Sequence, residues 1–211
     1  ATDSAGNTRQ STSNSFVVDN TPPTTPTLSQ SPVAGTWTSN NVTVTINYSE
    51  DSNTKQYKIG SGGTWTSYTS PVTVTANNTV YARGIDVAGN ISAEGSIVVS
   101  NIDKTAPTVP APTVTVNSRT QITVQANATD AQSGLHGTPY QYNRNNTDIG
   151  VYQAGPYIDT GLTPNTKYTY KYLARDTVGN ISGYSDTTTK YTLAANPVSV
   201  KILENRTDSI R

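Results

Sequence analysis

The stretch Tyr168-Thr-Tyr-Lys-Tyr-Leu-Ala-Arg175 alternates aromatic or small residues with polar ones and runs straight into Asp176-Thr-Val-Gly-Asn180. A period of two places Tyr170, Tyr172 and Ala174 on one face and Lys171 and Arg175 on the other, the pattern of a half-buried strand. Val80-Tyr-Ala-Arg-Gly-Ile85 runs into Asp86-Val-Ala-Gly-Asn90 in the same way. Aligning Asp86 with Asp176 sets Val80, Ala82 and Gly84 opposite Tyr170, Tyr172 and Ala174, so these six face a core. Tyr81, Arg83, Lys171 and Arg175 then face outward.

Working outward, Asp3-Ser-Ala-Gly-Asn7 is a third copy of the motif, and the Asn-to-Asn spacings are 83 and 90 residues. Val18-Asp19-Asn-Thr-Pro-Pro23 and Ile102-Asp103-Lys-Thr-Ala-Pro107 form a second repeated signal, 84 residues apart from Asp to Asp. A repeat of this length is too long for a solenoid and suits a small sandwich domain. The Pro-rich stretches after each motif mark boundaries, because Pro cannot donate to a ladder. The expected organisation is residues 22–105 and 106–194 as complete domains. Residues 1–21 read as the last strands of a preceding domain, and 195–211 as the first strands of a following one. Val42–Ile46, Gln56–Ile59, Val72–Thr75 and Ser96–Val99 are the expected strands of the first domain beside Val80–Ile85. Gln121–Gln125, Tyr140–Tyr142 and Thr187–Tyr191 are their counterparts in the second, beside Tyr168–Arg175. Apolar residues never gather at helical spacing, so the fold class is all-β: two sandwiches of about seven strands each in an extended array.

Composition narrows the chemistry. The 211 residues carry 14 Lys+Arg against 14 Asp+Glu, so no basic excess exists to neutralise the phosphates of a nucleic acid. Thr, Ser and Asn number 37, 21 and 20, whereas Cys is absent; disulfides, thiolate metal sites and Cys nucleophiles are excluded. No apolar run approaches the roughly 20 residues of a membrane span. One His leaves no His–His pair for acid/base work.

Gly161-Leu-Thr-Pro-Asn-Thr-Lys-Tyr168 through Ala174 resembles the fibronectin type III family, whose pattern there is Leu-x-Pro-x-Thr-x-Tyr. The resemblance implies structural roles for Leu162 and Pro164, with Tyr168 as the tyrosine-corner residue whose hydroxyl ties the strand back to upstream backbone. Residues 106–194 depart from the family in having no Trp near Gln121–Gln125, so their core must be filled differently. The first domain resembles bacterial Ig-like repeats of surface proteins through Tyr57-Lys-Ile-Gly, Gly62-Gly-Thr-Trp65, Tyr68, Ser70-Pro-Val72, Tyr81-Ala-Arg and Asp86-Val-Ala-Gly-Asn-Ile-Ser92. These motifs speak for fold and bacterial extracellular context, not for activity.

In Asp-x-x-Gly-Asn the Asp can close an Asx-turn and the Gly supplies positive φ, giving Asp176, Asn90 and Asn180 structural roles. A sharper reading comes from the resemblance to adhesin arrays, in which Asp residues at domain junctions hold calcium. Asp3, Asp19, Asp86 and Asp103 are the candidate ligands, hard oxygens of the kind Ca²⁺ prefers; no cofactor is otherwise required. His136 lies in an expected surface loop with Asp130 nearby and no activated nucleophile. Trp37, Trp65 and Tyr68 are candidates for an aromatic sugar platform, against the commoner role of such rings in packing.

The leading expectation is a non-catalytic structural segment of a bacterial extracellular surface protein: an S-layer, fibre or adhesin stalk in which it acts as spacer and assembly module. Its partners are neighbouring domains of the same long chain. Head-to-tail self-assembly through the end segments is also expected, because an isolated hairpin buries too little apolar surface to stand alone. The alternative is a glycan-binding accessory module of a secreted polysaccharide-degrading enzyme.

Overall fold

The structure, a computed structural model, describes residues 2–8 and 18–195; the strands expected within 9–17 and 196–211 lie outside the described residues. Fourteen strands and no helix occur among the described residues. The chain divides into two compact units, Ala1–Thr36 with Asn40–Ile102, and Trp37–Ser39 with Asp103–Arg211.

Unit 1 is built from β1 (Thr27–Ser31), β2 (Val42–Asn47), β3 (Thr54–Ile59), β4 (Thr66–Ser67), β5 (Val72–Val74), β6 (Asn78–Ile85) and β7 (Gly95–Val99). They form a three-stranded sheet β1-β2-β5 and a four-stranded sheet β4-β3-β6-β7, with every pairing antiparallel. Val42, Val44 and Ile46 of β2 and Val72 and Val74 of β5 pack against Val80 and Ala82 of β6 and Val99 of β7. Alternation puts these residues on the inner faces, as the sequence requires. Gly84 and Gly95 are glycines for lack of room: a Cβ would run into Ser52 Oγ at the first and the Pro26 carbonyl oxygen at the second.

Unit 2 repeats the plan with β8 (Thr113–Val116), β9 (Gln121–Gln125), β10 (Leu135–Arg144), β11 (Thr147–Gln153), β12 (Tyr157–Thr160), β13 (Lys167–Asp176) and β14 (Thr188–Tyr191). The sheets are β12-β9-β8 and β11-β10-β13-β14. Tyrosine fills the core that lacks a Trp. Tyr142, Tyr170 and Tyr172 are fully buried, with Tyr140 beside them at 8% exposure. Tyr140 and Tyr172 meet edge to face at 5.8 Å, a favoured aromatic geometry. Each deeply buried phenol also needs a polar partner. Tyr142 donates to the Gly155 carbonyl (2.9 Å), Tyr170 donates to Asp159 Oδ2 (2.8 Å), and Tyr172 accepts from Asn127 N–H (3.2 Å).

The structure departs from the sequence reading at His136 and in five strands that it did not name, β1, β4, β8, β11 and β12. His136 lies on β10 and not in a loop. The register of β10 shifts between Leu135 and Tyr140, and that irregularity breaks the period of two by which a strand is recognised. The strand β11 was not anticipated either. Gly150 interrupts its alternation, and its hairpin turn is Asn145-Asn146 with φ of 50° and 67°, the two positive values a type I′ turn requires.

Candidate functional site

The Asp-x-x-Gly-Asn loops are built the same way in all three copies. Asn7, Asn90 and Asn180 each donate their backbone N–H to Oδ1 of the motif Asp, and their side-chain amide to Oδ2. Gly6, Gly89 and Gly179 have φ of 81°, 94° and 92°, a conformation open to glycine. At Asp3 the hydrogen bonds from Asn7 and Ala5 hold the carboxyl below its usual range. At Asp86 desolvation pushes the other way, and the bonds from Asn90, Gly89 and Ala88 outweigh it.

The same amides reach one step further. Asn90 Nδ2 also donates to the carbonyl oxygen of Asp19 (3.0 Å), and Asn180 Nδ2 to that of Asp103 (3.1 Å). Each of these Asp residues closes its own Asx-turn, Asp19 Oδ1 accepting from Thr21 N–H and Asp103 Oδ1 from Thr105 N–H. The loop thus fastens the entry segment of its own sandwich.

Of the four candidate calcium ligands, the structure gathers Asp103 into a carboxylate group and leaves Asp3, Asp19 and Asp86 in separate loops. Carboxylate oxygens of Asp103, Asp130 and Asp176 lie within 4.8 Å of one another. Asp103 and Asp176 are fully buried. Backbone donors serve the group: Ser133 N–H reaches Asp103 Oδ2 (3.0 Å), Gln132 and Gly134 N–H reach Asp130 Oδ1 (3.1 and 2.7 Å), and Val178 N–H reaches Asp176 Oδ1 (3.0 Å). Burial opposes the ionisation of Asp103, yet the bonds from Ser133 and Thr105 leave its carboxyl below the usual value. Three hard oxygens in one place fit part of the oxygen shell that Ca²⁺ takes. The sequence carried no signal for Asp130 here, because it stands in a different loop from the repeated motif.

His136 and Asp130 are not a pair. His136 Nδ1 accepts from Thr138 N–H (3.0 Å), while Asp130 serves its own loop. Tyr68 is not available as a platform ring, because it packs on the unit 1 core and its hydroxyl accepts from Ile46 N–H (3.1 Å). Trp65 lies instead on the outer face of the four-stranded sheet, with Arg83 and Lys58 at 4.2 and 4.5 Å from its ring centroid. In unit 2 the Tyr168 hydroxyl accepts from Thr163 N–H (3.0 Å), beside buried Leu162 and Pro164, whose carbonyl takes Thr166 Oγ1–H (3.0 Å).

A three-strand sheet facing a four-strand sheet, with the corner tyrosine in place, decides the fold. Both units are antiparallel β-sandwiches of the fibronectin type III and Ig-like kind, and the corner tyrosine belongs to unit 2. No protein-family model matches the chain. It is 34% identical over 181 residues to exoglucanase B of Cellulomonas fimi, covering 79% of this chain and 16% of that protein. An alpha-amylase of Niallia circulans is 37% identical over 99 residues, 46% of this chain and 8% of the enzyme. Endoglucanase B of Cellulomonas fimi is 35% identical over 127 residues, 54% of this chain and 12% of that protein. The chain therefore spans less than a fifth of the length of these relatives. Among solved structures, the fibronectin(III)-like modules of Clostridium thermocellum CbhA share 14% identity over 79% of this chain and 94% of theirs, with a TM-score of 0.36.

Proposed function

We propose that this chain is a non-catalytic accessory segment of a secreted bacterial polysaccharide-degrading enzyme. The observation that carries the reading is the match of most of this chain to a small part of an exoglucanase. It favours the accessory module over the S-layer, fibre or adhesin-stalk reading. The enzyme's other domains are the partners in this reading, and its place of work is outside the cell.

The test is to join the chain to a glycanase catalytic domain and compare rates on soluble and insoluble polysaccharide with those of the catalytic domain alone. The reading expects no sugar release by the chain alone and a gain confined to the insoluble substrate. Sugar release by the chain alone, or fusion that changes neither rate, would sink it.

The calcium reading attaches to Asp103, Asp130 and Asp176, because there, among the described residues, the fold assembles three carboxylates. A thermal midpoint that rises with millimolar calcium in the parent chain, and not in Asp130→Asn, is the expected result. Identical midpoints with calcium and with chelator remove calcium from the account.

A further inference from the structure

The outer face of the β4-β3-β6-β7 sheet carries a set of side chains that the core does not need. Strand register places Lys58 beside Tyr81 and Gln56 beside Arg83. The Lys58 ammonium lies 4.5 Å from the Trp65 ring centroid and 5.1 Å from that of Tyr81. Arg83 stacks on Trp65 at 4.2 Å, and its Nε donates to Gln56 Oε1 (2.9 Å). Two rings and a guanidinium are thus held together by the adjacent strands β3 and β6 and the segment before β4. Preorganised groups lose little conformational freedom when a ligand arrives.

Charge is segregated on this face. Its outward positions are Thr54, Gln56 and Lys58 on β3 and Thr79, Tyr81, Arg83 and Ile85 on β6, with no carboxylate among them. The nearest acid is Glu94, whose pairing with Lys58 is long at 3.5 Å and nearly half exposed on the Glu side. The Lys58 side chain is 12% exposed and stays with Glu94, which leaves Arg83 as the cation on this face that an incoming carboxylate would meet. In a chain of zero net charge, the face is left positive.

Unit 2 has the same kind of pairs on the corresponding sheet, Arg175 over Tyr152 and Lys171 over Tyr184. There the donors are spent on the protein: Arg175 Nε and Nη2 go to Thr138, Lys171 Nζ to Asn146, and the Tyr184 hydroxyl to Asp148. Among the described residues, Arg83 hydrogen-bonds through Nε to Gln56. Its two Nη groups are the fork that a carboxylate takes in bidentate form.

We propose that the outer face of β4-β3-β6-β7 binds a carboxylate-bearing polysaccharide, a uronic-acid chain. Arg83 takes the carboxylate, while Trp65 and Tyr81 lie against the sugar rings. The proposal rests on the accessory-module reading for its setting and names the class of glycan that module would engage.

The test is native gel electrophoresis of the whole chain through polygalacturonate, with hydroxyethylcellulose as the neutral arm, alongside fluorescence titration with oligogalacturonate. Trp37→Phe leaves Trp65 as the reporter. The expected result is retardation in polygalacturonate alone, weakened by added salt. Arg83→Gln, which keeps a polar side chain on the strand, should weaken binding roughly tenfold or more, the loss of a charged hydrogen bond. Trp65→Ala should abolish it, and Arg175→Gln in unit 2 should change nothing. A circular dichroism spectrum and thermal midpoint for each variant separate lost binding from lost fold. Equal retardation by the neutral glucan overturns the carboxylate assignment, and uronate binding untouched by Arg83→Gln overturns the face. Either outcome leaves the fusion experiment above to judge the accessory role by itself.

Discussion

Tyr170 on β13 donates its hydroxyl to Asp159 Oδ2 on β12, joining the two sheets of unit 2 from inside. The other carboxylate oxygen takes Arg144 Nη1 of β10 at 2.8 Å. Asp159 is 2% exposed, so its charge depends on these two partners. A buried carboxylate without them would stay costly.

Asp159→Ala should therefore destabilise unit 2 strongly. Removing one member of a buried pair costs about 3–5 kcal/mol; the Arg144 side chain is a third exposed, so about 2–3 kcal/mol is expected. Asp159→Leu combined with Arg144→Met should recover much of that loss, since no charge is left stranded. Urea unfolding of the parent and the two variants measures both claims, and a double variant weaker than Asp159→Ala refutes the second.

The tyrosine core should make unit 2 sensitive to alkali. Burial pushes the Tyr142 phenol up to about 12 from 10.0, and burial together with the Asp159 hydrogen bond raises Tyr170 further. A phenol with a raised folded-state value keeps its proton in the fold after the unfolded chain has lost it. Stability from Tyr142 is whole below pH 10 and falls by about 2–3 kcal/mol as pH climbs to about 12. The tyrosinate absorbance of the buried phenols should then appear in one cooperative step with unfolding. Ionisation of all 13 tyrosines while the β-spectrum persists contradicts this.

At the acid end the sign reverses. Asp86 and Asp103 have lowered folded-state values, so the stability they contribute is present above the unfolded value of 3.8 and is lost as pH falls below it. Asn90→Ala should flatten that acid limb for unit 1. It should also cost about 1–2 kcal/mol at neutral pH through the lost hydrogen bonds to Asp86 and the Asp19 carbonyl. An unchanged acid midpoint in this variant argues against the loop as its source.

Glycine positions offer a paired comparison. Gly95→Ala should destabilise unit 1 by about 1–3 kcal/mol, because the new methyl must displace the Pro26 backbone or strain β7. Gly62→Ala, with open space around the Cβ position, should stay within about 0.5 kcal/mol of the parent. Thermal midpoints of the two variants should separate accordingly.

Much of this fold was legible in 211 letters because its determinants are local. The alternation in Val80–Ile85 and Tyr168–Arg175 assigns faces, since successive side chains in a strand point opposite ways. The Asp-x-x-Gly-Asn loop is likewise a matter of five residues and one positive φ. Strands β1, β4, β8, β11 and β12 escaped, as did β10 before Tyr140: a register shift breaks the period of β10, Gly150 that of β11, and β4 has two residues.

What tertiary structure alone decided are the meetings between distant residues. Asp103 and Asp130 come from two loops and Asp176 from the end of β13, and Arg144, Asp159 and Tyr170 come from strands in two sheets. Trp65, Lys58 and Arg83 converge from the segment before β4 and from strands β3 and β6. No spacing in the sequence encodes these groups, because pairing register and the facing of two sheets set which side chains arrive together. The sequence determined which residues turn inward and where the chain turns. The packing of one sheet against the other, and the exclusion of water between them, determined which charges and rings must answer one another.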